Sequence, residues 1–436
     1  MKSRDATAPG KLITPARGAV LLVIGVLALA FNLRAAITSL PPVFPELESA
    51  LHISASSLAL LAAVPVLCFG LFSGSAAPLS RRFGEERVLC AALLLLAAGL
   101  LLRGLSPRLL LFPGTIVAGA AIALMNVLLP SLVKRRMPER AGLLIGLYLL
   151  MLAAGAIVAS VLAVPVFNAA SGPAAGGQVA AGSAAVRITL ALWAGPALVA
   201  VLIWAPQLRY RTLPEAVPRR RQAGVLALRR SALAWQVTLF MGLQSLSYYA
   251  TLSWFPTMFR DRGVSAAHAG VLLALMNLGN AVTALALPML AQRAPDQRRL
   301  TAVSMAATAA GLAGAVFGAV GLAGGFMVLL GLGQGATLGL GIFYTMARAP
   351  DPVSAASLSA FAQGIGYLIA SAGPLTIGFV HEATGGWTVP GLILLLVAGL
   401  QLITGRLAGR ALTVPATSGL PLPGELPAPG EPRSAG

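Results

Sequence analysis

Twelve stretches of roughly 20 apolar residues, separated by short polar loops, leave this chain few ways to fold. A helix rises 1.5 Å per residue, so about 20 residues match a bilayer hydrocarbon core about 30 Å thick. Val88 to Leu102 carries no formal charge, and neither does Pro390 to Ile403. Gly18 to Ile37 holds only Asn32 and Arg34 among apolar neighbours. Composition agrees: 57% of residues are hydrophobic and 10% are charged, against about 25% charged in soluble domains. The expected fold class is an all-α polytopic membrane protein of twelve transmembrane helices. The spans are predicted at about Gly18–Leu40, Ser57–Ser80, Val88–Leu105, Leu109–Val133, Ala141–Phe167, Val186–Trp204, Ala234–Phe259, Ala266–Leu290, Leu300–Leu322, Gly325–Ala347, Ala355–Val380 and Trp387–Ala408.

Charge sets the orientation. With the N-terminus inside, most of the 31 lysines and arginines fall in interior loops. Lys134, Arg135, Arg136 and Arg140 form one cluster, and the arginines from Arg209 to Arg230 form another. Exterior segments hold Arg103, Arg108, Arg187, Arg260 and Arg262. This positive-inside bias places both termini in the cytoplasm and the chain in the cell membrane as a multi-pass protein. A net charge of +18 is therefore read as topogenic and facing the lipid surface, and nucleic acid is not an expected partner. The start of the chain, "MKSRDATAPGKLITPAR", has no cleavage pattern, so the first span is expected to be retained.

The long loop after the sixth span divides the chain into six plus six. The expected units are an N-terminal bundle at 1–206, a cytoplasmic linker at 207–233, a C-terminal bundle at 234–410 and a tail at 411–436. That tail, rich in proline and glycine, is predicted to be disordered.

None of the 13 acids lies in the interior of a span. Arg34 therefore has no obvious counter-ion in the membrane, where burying a guanidinium costs several kcal/mol. Two readings are open. Arg34 snorkels to the interface or bonds helix-end carbonyls, or it faces a watery cavity and pairs with an anionic or strongly polar solute through its bidentate donors. Other polar residues recur at helical spacing. Gln244 and Tyr248 stand four apart on the seventh span, and Gln363 and Tyr367 repeat that spacing on the eleventh. Asn277 and Asn280 lie on the eighth, Asn126 on the fourth and Gln334 on the tenth. Each serves either as interhelical glue or as cavity wall. The candidate substrate-binding set is Asn32, Arg34, Asn126, Tyr148, Gln244, Tyr248, Tyr249, Trp254, Asn277, Gln334, Gln363 and Tyr367. Cys68 and Cys90 read as core residues, and His52, His268 and His381 lack a metal-ligand spacing. No nucleophile–base set stands out, so neither an enzyme nor a cofactor or metal is expected.

Several long segments then carry a resemblance: "FNLRAAITSLPPVFPEL", "VPVLCFGLFSGSAAPLSRRFG", "NVLLPSLVKRRMPER", "QSLSYYATLSWFPTMFRDRG" and "ASLSAFAQGIGYLIASAGPLTIGFVHEATGGW". Together they resemble the cyanate/2-nitroimidazole permease family of the major facilitator superfamily, over roughly Asn32 to Trp387. The resemblance implies a twelve-helix carrier working by alternating access, and a monomer is expected. It also implies a small anionic or planar polar cargo such as cyanate, or, as the alternative, export of small neutral aromatics such as nitroimidazoles. In that second reading Tyr248, Tyr249, Trp254 and Tyr367 stack on the drug. The superfamily's gate loop usually has Asp before Arg-x-Gly, whereas "SRRFGEERV" places Arg81 there, followed by Arg82 and Gly84. Glu85 or Glu86, paired with Arg136 or Arg140, is the expected substitute for that acid. Gly373-Pro374 is a hinge candidate by likeness to a bending motif of the superfamily.

Overall fold

The protein is described from a computed structural model, for residues 16–171, 178–210, 212–213 and 228–416. Twelve helical rods follow one another. They are α1 (Ala16–Thr38, continued past a break by Phe44–Leu51), α2 (Ala55–Phe72, continued by Ala76–Phe83), α3 (Glu85–Leu105) and α4 (Pro107–Arg136). Next come α5 (Ala141–Ser171), α6 (Gln178–Leu192 and Ala194–Trp204), α7 (Ala232–Asp261) and α8 (Ala266–Ala291). The last four are α9 (Arg298–Phe317), α10 (Ala323–Ala347), α11 (Pro352–Thr384) and α12 (Thr388–Ala408).

Local sequence sets the boundaries. Ser54, Ser231 and Ser265 accept the backbone N–H three residues on and start α2, α7 and α8, which satisfies an orphan donor of the first turn. Asp351 does the same for α11, accepting from Val353 and Ser354. Gly385 at φ +65° closes α11, and Gly84 at φ +91° closes the continuation of α2, a region of backbone space that suits glycine.

Eleven of the rods are long and apolar enough to cross a membrane. The other, α7, is 30 residues long but carries Gln244, Ser245, Ser247, Tyr248, Tyr249, Thr251 and Ser253. Its apolarity is low because little of it needs to meet lipid: every residue from Ser247 to Phe259 is buried. A rod of that length reaches about 45 Å at 1.5 Å per residue, ample for a bilayer.

The rods form two bundles, α1–α6 and α7–α12. Small residues let them approach closely, as in membrane helix pairs generally. Along α8 and α10, a side chain at Gly331 or Gly335 would collide with the carbonyls of Met276 or Asn280. The bundles meet where α2 lies against α11 and α5 against α8.

Part of the linker expected at 207–233, and residues 417–436 of the expected tail, lie outside the described residues. The beginning of that tail is placed: Val414 N donates to Arg348 O at 2.8 Å, and its side chain is buried with Leu228, Leu358 and Phe361.

Candidate functional site

A chain with 31 basic and 13 acidic residues has far fewer carboxylates than cations to pair. Several arginines use helix C-termini instead, where free carbonyls and the negative end of the macrodipole favour a cation. Arg187 Nε donates to Gly104 O of α3 at 3.1 Å. Arg262 donates to Ala315 O and Gly318 O at the end of α9. Arg348 donates to Ala408 O at 2.9 Å and Gly409 O at 3.3 Å at the end of α12, and to Gln297 Oε1. Arg103, only 2% exposed, donates to Ala36 O of α1 at 3.2 Å.

Arg34 follows a different rule. Its rod runs past the break to Leu51, so Arg34 stands near the middle of the span Ala19–Leu51. Among the described residues it is in none of the ion pairs, and it caps no helix end. Its Nη1 makes one long contact, 3.5 Å, to Tyr249 Oη. Its guanidinium lies 5.1 Å from the ring centre of Tyr248 and 5.7 Å from that of Tyr249, inside cation–π range. Beside it is a small, partly open cavity of about 60 Å³. The walls come from both bundles: Leu149, Leu152, Ala153 and Ala156 of α5 face Tyr248 of α7, Asn277 and Asn280 of α8, and Leu338 of α10.

Tyr248 Oη donates to Asn277 Oδ1 at 2.7 Å, and Asn277 Nδ2 donates to Leu273 O at 2.9 Å. The guanidinium, in contact with the Tyr248 and Tyr249 hydroxyls and rings, is the cationic donor of the cavity. Asn280 adds an amide whose Nδ2 has no partner. A surface holding a cation, an open amide, aliphatic walls and no carboxylate suits a small acceptor-bearing solute. It offers no nucleophile or base to transform one.

Arg34, Tyr248 and Asn277 therefore reach the cavity as the sequence spacing suggests, with Tyr249 against the guanidinium. Tyr367 is one ring further out, edge-to-face with Phe69 at 5.5 Å, and Phe69 in turn meets Tyr249 at 6.4 Å.

The other candidates are placed elsewhere. Asn32 bonds Ala28 O at 2.9 Å and Pro196 O at 3.2 Å, tying α1 to α6. Gln244 donates to Gln334 O, and Gln334 to Ser247 and Thr251, which sews α7 to α10. Tyr148, which donates to Asn126 Oδ1 at 3.4 Å within the first bundle, is the exception: like Tyr367 it stands within electrostatic reach of Arg34 and Tyr249. Gln363 is exposed and bonds Ser359 one turn back. Trp254 donates to Pro374 O at 2.8 Å and packs against Phe44 and Trp387. The shared spacing of Gln244–Tyr248 and Gln363–Tyr367 does not separate a helix neighbour from the cavity; that depends on which face a neighbouring rod covers. Asn280 stood in the sequence beside Asn277 with the same signal. The α5 leucines carry none.

At one end the bundles are latched to each other. Arg260 Nη1 pairs with Glu46 Oε2 at 2.7 Å and reaches Pro42 O at 3.4 Å. Glu382 accepts from both the backbone N–H and the hydroxyl of Ser56. At the other end, Glu86 is fully buried. It binds Arg136 at 3.0 Å and the backbone N–H of Thr212 at 2.7 Å, while Arg136 lies 4.2 Å from the ring of Tyr210. Arg135 approaches Glu85 at 3.8 Å. The acid past Gly84 thus takes Arg136, one of the two expected partners. Arg81 and Arg82 are exposed in the last turn before Gly84. At Gly373, a Cβ would collide with Leu246 O, so this glycine permits the contact between α11 and α7. The helix runs uninterrupted through Gly373 and Pro374.

Two six-helix bundles with a small cavity between them have the architecture of a membrane carrier. The chain belongs to the Major Facilitator Superfamily, whose pattern it matches over residues 22–374, and it groups with the cyanate and 2-nitroimidazole permeases. It is 38% identical over 391 residues to the 2-nitroimidazole transporter of Escherichia coli (strain K12), covering 90% of this chain and 96% of that one. To the cyanate transport protein CynX of the same organism it is 31% identical over 391 residues, covering 89% and 96%. Its backbone matches the crystal structure of a D-xylose-proton symporter with a TM-score of 0.71 at 14% identity, over 92% of this chain and 99% of the other. The protein is a transporter of small solutes and not an enzyme.

Proposed function

We propose that this transporter carries a small anionic or planar polar solute of the cyanate kind, held at Arg34 between the two bundles. The observation that carries the reading is the state of that guanidinium: at mid-span, beside a cavity, with neither acid nor helix-end carbonyl. Leaving a half-buried charge at membrane depth without an acid is costly, whereas an anionic cargo supplies the missing partner each time the site fills. Tyr248 and Asn277 fix the wall, and Tyr249 holds the guanidinium plane. The names of the two relatives support a cargo of this size. Alternating access follows if the bundles, taken as 1–206 and 234–410, rock about the cavity, with the latched end facing outward as the arginine distribution suggests.

With no carboxylate among the residues lining the cavity, coupling by an acid in the site is absent from the proposal; facilitated movement or exchange fits. The decisive experiment measures radiolabelled cyanate uptake into proteoliposomes by wild type, R34K and R34A. Losing a charge-assisted bond of about 1.5–3 kcal/mol weakens apparent affinity about tenfold to a hundredfold in R34A. R34K, a point charge without the fork, falls between. Unchanged uptake in both variants overturns the assignment. One observation favours the export of neutral aromatics: the ring cluster of Phe69, Tyr249 and Tyr367 beside the site. Competition by 2-nitroimidazole that survives R34A supports that second reading.

A further inference from the structure

Arg103 is a second cation within the membrane-spanning part of the first bundle, and the cargo does not explain it. It is 2% exposed, sits on α3 and, among the described residues, is in none of the ion pairs. Its stem runs along α4, where Gly114 leaves room: a Cβ there would stand 3.1 Å from Arg103 Cγ and 3.0 Å from its N.

What it touches is set by two prolines. Pro41 and Pro42 have no N–H, so the carbonyls of Ile37 and Thr38 lose the donors that a continuing helix would supply. Leu40 N–H then turns back to Ile37 O at 3.4 Å in a tighter turn, while Ser39 N–H keeps Ala35 O at 3.1 Å. Ala36 O, which Leu40 would serve in an unbroken helix, is left over. Arg103 Nη1 fills that place at 3.2 Å. One residue pair away, Thr38 Oγ1 donates to Arg34 O at 2.9 Å. The last turn of α1, which begins at Arg34, is thus held by a side chain from α3 where its own ladder fails. Arg187, Arg262 and Arg348 cap helices that end in loops, whereas Arg103 caps a break inside a rod.

We infer that Arg103 is a positioning residue for substrate binding. It substitutes for the Leu40 N–H that the Pro41-Pro42 break diverts from Ala36 O to Ile37 O, and so keeps the Arg34 turn wound and its guanidinium aimed at the cavity. The inference rests on the reading of Arg34 as the anion site. A frayed last turn spreads Arg34 over many directions, and a binding group that must be ordered by its ligand binds more weakly.

The test is a double-substitution cycle on the full-length protein in detergent, with cyanate affinity read by titration calorimetry in wild type, R103M, R34A and R34A/R103M. Amide hydrogen exchange is read in parallel. We expect R103M to weaken cyanate about tenfold in the wild-type background and to change nothing further in R34A, since it acts through Arg34. Exchange should quicken at residues 36–40 while α9 stays unchanged. R103K, which keeps one donor and the charge, should restore part of both and also serves if R103M folds poorly. Equal losses from R103M in both backgrounds, or faster exchange with unaltered affinity, overturn the positioning role while leaving Arg34 in place. If R34A alone binds cyanate like wild type, the reading of the site itself has failed.

Discussion

The ion pair between Glu46 and Arg260 ties the continuation of α1 to α7 and so joins the two bundles at one end. Replacing Glu46 by alanine removes that pair and leaves Arg260 only its 3.4 Å contact to Pro42 O. The pair is close, 2.7 Å, but its side chains are 15% and 22% exposed. Its worth is therefore discounted to about 1 kcal/mol. That energy belongs only to the state in which this end is closed, so E46A shifts the balance toward opening by about fivefold. Glu382 holds the same end through Ser56, and E46A/E382A should shift it further. Spin labels at the exposed Ser49 and Thr384 report the separation of the two rims by electron–electron distance measurement. The expected result is growth of a longer-distance population in E46A, larger in the double variant, and a rise of the same population in the wild type at high salt as the pair is screened. Superimposable distance distributions in all three proteins would refute the idea that these bonds hold the end shut.

Two further outcomes follow from the packing. G331A places a methyl group into the Met276 carbonyl, so α8 and α10 must separate; overpacking of about 1–3 kcal/mol should lower the thermal midpoint in detergent by several degrees. E86A strips the partner from a buried Arg136 and from Thr212, at about 3–5 kcal/mol. It should cut folded yield sharply on size-exclusion chromatography, whereas E86Q, which keeps one hydrogen bond, loses less.

Much of the architecture was legible because a bilayer imposes a length and a polarity on every rod. Helix starts at Ser54, Ser231, Ser265 and Asp351 follow from capping chemistry, and the break in α1 follows from Pro41-Pro42. The span of α7 was legible by position between its loops, even though its polar residues make it the least apolar of the twelve. The site was read less completely. Gln244, Gln334 and Asn32 carry the same amide chemistry as Asn277, yet they join helices to each other, and Gln363 lies outside the cavity. Their spacing tells which face of a helix they share and nothing about which neighbour that face meets.

The sequence by itself determined the twelve rods, their polar exceptions and the shortage of acids, because each is a property of a residue and its immediate neighbours. Only the tertiary structure decided how the cations are satisfied. Arg103, Arg187, Arg262 and Arg348 find carbonyls at helix ends contributed by distant parts of the chain, while Arg34 comes to rest between two tyrosines at the edge of a cavity. A carbonyl freed at one helix end has no signature in the sequence of the arginine that caps it, so the difference between a cation that caps a helix and one beside a cavity appears only once the rods are packed.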